Sequence, residues 1–390
     1  MRKIAVITGT RAEYGLLRPL MQAIKEDEHM HLQVVVTGTH LAPEFGMTVH
    51  EIEDNDFFID KKVECILSSD TVTSVTKSIG IALLGFTDVF DSLKPDIIVL
   101  LGDRTEILAA AIAALIANIP IAHIHGGEVT EGAYDESIRH AITKMSHLHF
   151  ASAEVYRKRI IQLGESPDNV FNVGAIGLDS IKSLKLLNKR DFEQAINFKL
   201  AMKNVLVTFH PVTMENQTAK DQFQEIIDAI HFFEKTHVIF TYANSDRDGQ
   251  IINQMIDQYV IDNPQTSISF KSLGQLRYLS ALKHIDAVVG NSSSGIIEAP
   301  YFGISTVNIG DRQKGRILHK SVIQTAPNKQ AIIKSLEKVF KNETKEQIAY
   351  QKHLFGNGAA TVQIMKILKN TEKIELKKKF NDLNFKYENE

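Results

Sequence analysis

Apolar residues in this chain come in short unbroken runs, each ending in a polar or glycine-rich cluster. In the first half the runs are 3–10 (KIAVITGT), 32–39 (LQVVVTGT), 96–103 (DIIVLLGD), 120–127 (PIAHIHGG) and 147–153 (HLHFASA). Continuous runs of this length predict strands buried on both faces, as in a parallel sheet. Between them, apolar positions recur every three or four residues, which predicts helices over 14–27, 72–92, 105–118 and 135–146. Strand alternating with helix predicts a doubly wound α/β sheet.

The rhythm restarts after a polar stretch around 184–203, with runs at 204–211, 237–246, 267–273, 286–295 and 305–312. The pattern therefore predicts two doubly wound Rossmann-like domains facing a cleft, over 1–180 and 200–368, with a hinge within 177–203. A length of 390 residues fits two cores better than one. Residues 369–390 read as a charged tail forming a surface helix with a frayed end.

Composition narrows the setting. A formal charge of −3 argues against a nucleic-acid partner. Cys65 is the single cysteine, so neither a disulfide framework nor a cysteine-cluster zinc site is expected, and a reducing, cytoplasmic setting fits. The N-terminal apolar stretch is too short for a signal peptide, and the most apolar region, 107–124, is broken by Asn118 and Pro120, so no membrane span is expected.

In doubly wound sheets, ligands gather at the carboxyl ends of strands, and here those ends carry the chemistry. GNSSSGIIEAP opens a helix with Gly290, Gly295 and the hydroxyls of Ser292, Ser293 and Ser294, which suits a phosphate; an ordinary serine N-cap reads the same way. Glu298 lies one turn on, where a carboxylate could accept a ribose diol. Arg312, Lys314 and Arg316 in GDRQKGR could meet a diphosphate or form a solvated basic loop. Arg11 stands where a dinucleotide fold needs glycine, which disfavours a nicotinamide cofactor; it could reach phosphates from across the cleft or lie on the surface.

Asp103, at the end of a buried strand beside Arg104, reads as a general acid/base or as an N-cap. His125 and Glu128 bracket Gly126–Gly127, where a substrate could come close, and Asp135 precedes a helix bearing Arg139 and His140. His123 and His125 would share a strand face, but they lack carboxylates at ligand spacing, so no metal is expected.

TGTRAEYG, TGTH, LGDR, HIHGGE, DESIRHAITKMSHLH, FHPVT, GNSSSGIIEAP and GDRQKGR stand in the order seen in hydrolysing UDP-N-acetylglucosamine 2-epimerases of bacterial sialic acid biosynthesis, a family this chain resembles from Lys3 to about Leu368. The resemblance implies the glycosyltransferase-B architecture. It also implies conversion of UDP-N-acetylglucosamine to UDP and N-acetylmannosamine through a glycal, without cofactor, in a homodimer or homotetramer. It places Arg11, His210, Asn244, Ser292, Ser293, Glu298 and Arg312 on UDP and the backbone near Leu273 on the uracil. Asp103, His125 and Asp135 match positions near the reacting sugar, and the candidates for catalysis are Asp103, His125, Glu128, Asp135 and His210. His125 stands where many relatives carry glutamate, and the IHGGE spelling is that of the sialic-acid branch. A related substrate, UDP-2,4-diacetamido-2,4,6-trideoxyglucose, and a UDP-sugar glycosyltransferase on the same fold are the alternatives.

Overall fold

The computed structural model describes residues 1–67, 69, 71–131, 133–212, 219–243, 248–341 and 354–383. The first sheet contains β1 (Arg2–Thr8), β2 (Met30–Thr37), β3 (Lys61–Val63), β4 (Ile97–Leu101), β5 (Ile121–Ile124), β6 (Leu148–Ala151) and β7 (Val170–Asn172). Its strands are all parallel, in the order β3-β2-β1-β4-β5-β6-β7. The second contains β8 (Lys203–Thr208), β9 (Thr236–Thr241), β10 (Ser267–Phe270), β11 (Ala287–Gly290), β12 (Ser305–Ile309) and β13 (Val322–Thr325), again parallel, in the order β10-β9-β8-β11-β12-β13. This is the two-sheet α/β architecture expected from the run pattern. Ile4, Val6, Val34, Ile97, Val99 and Ile124 are buried without a polar gap because helices cover both faces.

The runs missed β3, β7 and β13. Each is three or four residues long and sits at a sheet edge, so each buries too little to need an apolar run. The helices fall where the periodicity placed them: Arg11–Lys25, Val72–Leu93, Thr105–Ile116 and Asp135–Met145. Val72–Leu93 is also long and apolar enough to cross a membrane by length and composition, yet Ala82, Phe86, Val89 and Phe90 pack it onto the first sheet.

The C-terminal segment departs from expectation. Helix Ala360–Asn370, assigned from sequence to the second unit, packs against helix Arg11–Lys25 of the first. Ala360, Ile364, Met365 and Leu368 share a core with Leu17, Leu20 and Ile24. The Asp179 carboxylate accepts the N–H groups of Ala360 and Thr361, and the Arg2 guanidinium donates to the carbonyls of Leu368 and Thr371. Residues 371–383 form no helix; they run as a strap whose Lys378 ammonium meets Glu165 at 2.7 Å. The charged pattern misled the helical reading, because Lys378 finds its partners on other elements and not one turn away.

In each sheet the strand order reverses between the first and fourth strands of its unit, β1/β4 and β8/β11, opening a crevice at their carboxyl ends.

Candidate active site

The crevices of the two sheets form one cleft with two compartments, of about 270 and 220 Å3. Thr10, Arg104, Gly177, His210, Ser292 and Glu298 line both, so the compartments are continuous.

The first compartment is built mainly by the second sheet. Gly290 ends β11 at φ +132°, and a Cβ there would come to 1.9 Å of the Thr208 carbonyl, so only glycine lets β11 lie this close to β8. The chain then turns through Ser292, Ser293 and Ser294, which line the compartment. The helix they open is a single turn, Ser294–Ile297, followed by a 3-10 turn, not the full helix expected. Tyr278 donates from its hydroxyl to Ser294 Oγ at 2.6 Å. Leu273 is buried in the far wall and its carbonyl accepts from Arg277 Nε. Arg11 begins helix Arg11–Lys25, is clamped by Glu51 at 2.6 and 3.0 Å, and reaches the opposite wall: a Cβ on Gly274 would lie 3.0 Å from its Nη2. Glu298 sits where the compartments join, and burial pushes its carboxyl up from the ordinary range.

The second compartment collects the acids. Asp103, just beyond β4, pairs with the guanidinium of Arg139. That arginine is buried and also donates to the Glu128 carbonyl and Thr130 Oγ1, each at 3.0 Å. Burial and the nearby Arg316 hold its pKa well below the usual guanidinium value. Asp135 opens helix Asp135–Met145, where the dipole favours a carboxylate, and faces Arg312 Nη2 at 3.6 Å.

Glu128, taken from sequence as a proton-transfer candidate, is instead a hub. It accepts from Ser152 Oγ at 2.7 Å, pairs with Arg316 at 3.0 Å and faces His125 Nδ1 at 3.5 Å. Three partners leave little of it for a substrate.

His125 follows the end of β5 at φ +65°, a conformation rare outside glycine. The turn breaks the strand alternation that would have set His123 and His125 on one face. The His123 ring lies in the core between the Gly102 carbonyl at 2.7 Å and Thr143 Oγ1 at 3.2 Å. The His125 ring turns toward the hinge, where Ile176 N–H donates to Nε2 at 3.3 Å. That bond makes Nε2 the acceptor and Nδ1 the protonated nitrogen, and burial lowers the His125 pKa, keeping the ring neutral.

Of the residues singled out from sequence, Arg11, Leu273, Ser292, Ser293 and Glu298 line the first compartment, and Asp103, His125, Glu128, Asp135 and Arg312 the second. His210 and Glu298 line both, and Asn244 lies outside the described residues. Lys314 departs from the expected diphosphate group; it pairs at 3.8 Å with the exposed Glu131. Among the described residues no group of three or more His, Cys, Asp or Glu could hold a metal ion.

Sequence reasoning missed Asn291. Its side chain accepts from His210 N–H at 2.7 Å and donates to the His210 carbonyl at 2.8 Å, while its own carbonyl accepts from Arg312 and Gln313. One fully buried asparagine thus ties three motifs together, a role invisible without tertiary contacts. Lys271 and Gln275, also missed, line the first compartment, and Gln275 Nε2 donates across the cleft to the Gly15 carbonyl.

The profile of a family described as UDP-N-acetylglucosamine 2-epimerase matches residues 22–369. A Campylobacter jejuni "GDP/UDP-N,N'-diacetylbacillosamine 2-epimerase (hydrolyzing)" is 44% identical, covering 87% of this chain and 89% of its own. A Legionella pneumophila "UDP-N,N'-diacetylbacillosamine 2-epimerase (hydrolyzing)" is 40% identical over 95% and 96%. The Escherichia coli "Polysialic acid biosynthesis protein P7" is 42% identical over 86% and 85%. Among solved structures, the Neisseria meningitidis UDP-GlcNAc 2-epimerase bound to UDP-GlcNAc superposes with a TM-score of 0.77 at 20% identity, over 95% of this chain and all of the other. That likeness identifies the two-domain fold as of glycosyltransferase-B type.

Proposed function

The chain belongs to the UDP-N-acetylglucosamine 2-epimerase family, and from that premise we propose that it hydrolyses a UDP-2-acetamido sugar with inversion at C2, its preferred substrate being UDP-N,N'-diacetylbacillosamine, the 2,4-diacetamido-2,4,6-trideoxyglucose derivative. The observation carrying the reaction class is the adjacency of the serine-lined compartment to one holding Asp103 and Asp135, each facing an arginine. Two relatives at 40% identity or more, matched over most of their lengths, favour the diacetamido sugar over N-acetylglucosamine.

The C2 proton of such a sugar is not adjacent to a carbonyl, so direct abstraction is slow. As the C1–O bond to UDP breaks, positive charge develops at C1 and the C2 proton becomes acidic. One carboxylate takes that proton, leaving a glycal and UDP. Water then adds its oxygen to C1 and releases its second proton to solvent, while the other group of the pair, which enters as the carboxylic acid, delivers its proton to the opposite face of C2; proton exchange with solvent then resets both groups. The products are UDP and the free 2-epimer. Asp103 and Asp135 are the proposed proton-transfer pair. Glu128 is held by Ser152 and Arg316, and His125 has its Nε2 lone pair occupied by the Ile176 N–H. His210, Arg11 and the serines face the departing diphosphate, where pre-oriented donors stabilise charge as it develops. Arg312, expected on the diphosphate, lines the acid compartment, where it faces Asp135.

The test is incubation with UDP-N,N'-diacetylbacillosamine and, separately, UDP-N-acetylglucosamine in deuterated water without acceptor or metal. Release of UDP and a free 2-epimer deuterated at C2 is expected, with kcat/KM favouring the diacetamido substrate by roughly 10²-fold. The reverse preference would return the assignment to UDP-N-acetylglucosamine, the activity the sequence resemblance implied. Absence of C2 deuterium in the product would exclude the glycal route.

A further inference from the structure

Proline is disfavoured inside a helix because it lacks the N–H that the carbonyl four residues earlier would receive, and its ring presses on that carbonyl. Helix Arg11–Lys25 carries Pro19 in its interior. The carbonyl left without its helical donor is that of Gly15. Gly15 is buried, so this oxygen needs a partner that the helix cannot supply.

It finds two, both outside the helix. The Gln275 amide donates from Nε2, and the Ser180 hydroxyl donates from Oγ at 3.3 Å. Gln275 opens helix Gln275–His284 of the second unit, and Ser180 lies on Gly177–Ser183 at the hinge. One displaced carbonyl therefore joins the first unit, the hinge and the second unit. The absence of a side chain at Gly15 lets Gln275 lie flush on the backbone. A Cβ there would already touch it, at 3.4 Å from Nε2 and 3.6 Å from its Cβ.

Both sides of this bond belong to the site. Arg11 stands one turn before Gly15 on the same helix, and Leu273 stands two residues before Gln275; all four line the first compartment. Between Leu273 and Gln275, Gly274 turns at φ +81° and sets its backbone against Arg11 Nη2. The second compartment is fastened across the cleft by other contacts, Arg316 to Glu128 and the Ile317 N–H to the Tyr156 hydroxyl at 3.1 Å. The Gln275 bond thus fastens the first compartment separately from the acid end.

We propose that Pro19 acts by withholding a helical hydrogen bond, so that the Gly15 carbonyl docks Gln275 and holds Leu273 and Gly274 against Arg11 around a bound uridine diphosphate. Gln275 is then a positioning residue for the nucleotide, and Pro19 is what makes its acceptor available. This rests on the reading of the first compartment as the UDP site.

Calorimetry with UDP, kinetics with UDP-N,N'-diacetylbacillosamine and thermal unfolding, all on the full chain, test it. Gln275→Ala removes the donor, so UDP Kd and KM should rise roughly three- to tenfold, the range of one hydrogen bond, with kcat within about twofold. Pro19→Ala returns a helical donor to Gly15. It should hold or raise the thermal midpoint while weakening UDP by a similar factor; a proline that matters only to the helix would change stability and leave affinity alone. The double variant Pro19→Ala/Gln275→Ala should bind UDP no worse than Gln275→Ala, because both changes remove the same contact. Unchanged UDP affinity in either single variant, a loss of kcat at unchanged KM, or additive losses in the double variant would overturn the proposal and leave the UDP site standing. A wild-type chain that binds no UDP would overturn the site itself, and the proposal with it.

Discussion

Asp103 and Asp135 enter one compartment from different elements, a strand tip and a helix start, and each faces an arginine. A carboxyl group held in place by a cation at the compartment wall is positioned to take or deliver a proton. Asp103→Asn should lower kcat by about 10²–10⁴ while leaving UDP affinity within a few-fold, since the first compartment is untouched; calorimetry with UDP alone separates the two effects. A parallel loss of UDP affinity would remove Asp103 from the sugar site. Glu128 contrasts with both, because removing it strands Arg316, a buried cation. Glu128→Gln is therefore expected to lower the thermal midpoint as well as activity. Sequence spacing brought all these acids into one neighbourhood but could not rank them, because rank depends on which cation each meets.

At the scale of elements, two junctions hold the cleft in shape. Gly290 lets β11 lie against β8, so Gly290→Ala should cost about 3 kcal/mol or more, read from urea unfolding, because neither the backbone angle nor the Thr208 carbonyl can accommodate a Cβ. The second junction is the C-terminal strap. Although burial acts to raise Glu165, hydrogen bonds from His149, Lys144 and Lys378 bring it down to about 2. Removing Lys378 takes away one of these partners and its bonds to the Lys144 and Ser146 carbonyls. Lys378→Ala should therefore cost about 1–2 kcal/mol of stability with little change in kcat. A strap that only covers surface would show no such loss.

For the whole molecule, pH acts through buried titratable groups. Burial holds His40 and His123 down to about 3, so an unfolded chain protonates them near 6.5 and the folded one does not. Both therefore oppose folding increasingly as pH falls below 6.5. Glu13 acts in the other direction: burial, reinforced by Glu106, raises it to about 8, so its contribution is present below 4.5 and is lost as pH rises toward 8. Each group carries at most about 1.4 kcal/mol per pH unit inside its window, so two histidines outweigh one acid between 4.5 and 6.5. The thermal midpoint should then peak near neutrality and fall on both sides, and Glu13→Gln should flatten the alkaline limb. A midpoint independent of pH between 5 and 8 would contradict these burials.

The run pattern alone determined that the chain builds two parallel α/β sheets and that their strand tips carry the ionisable groups, because burial on both faces forces continuous apolar strands whatever the rest of the chain does. Motif order carried the family. Three features were decided only by folding: the return of helix Ala360–Asn370 to the first sheet, the clamp of Asn291 on His210, and the turn that points His125 at the hinge. Each depends on contacts between residues 50 or more positions apart. Local propensity and periodicity carry no information about partners at that separation, so only the packed molecule could set them.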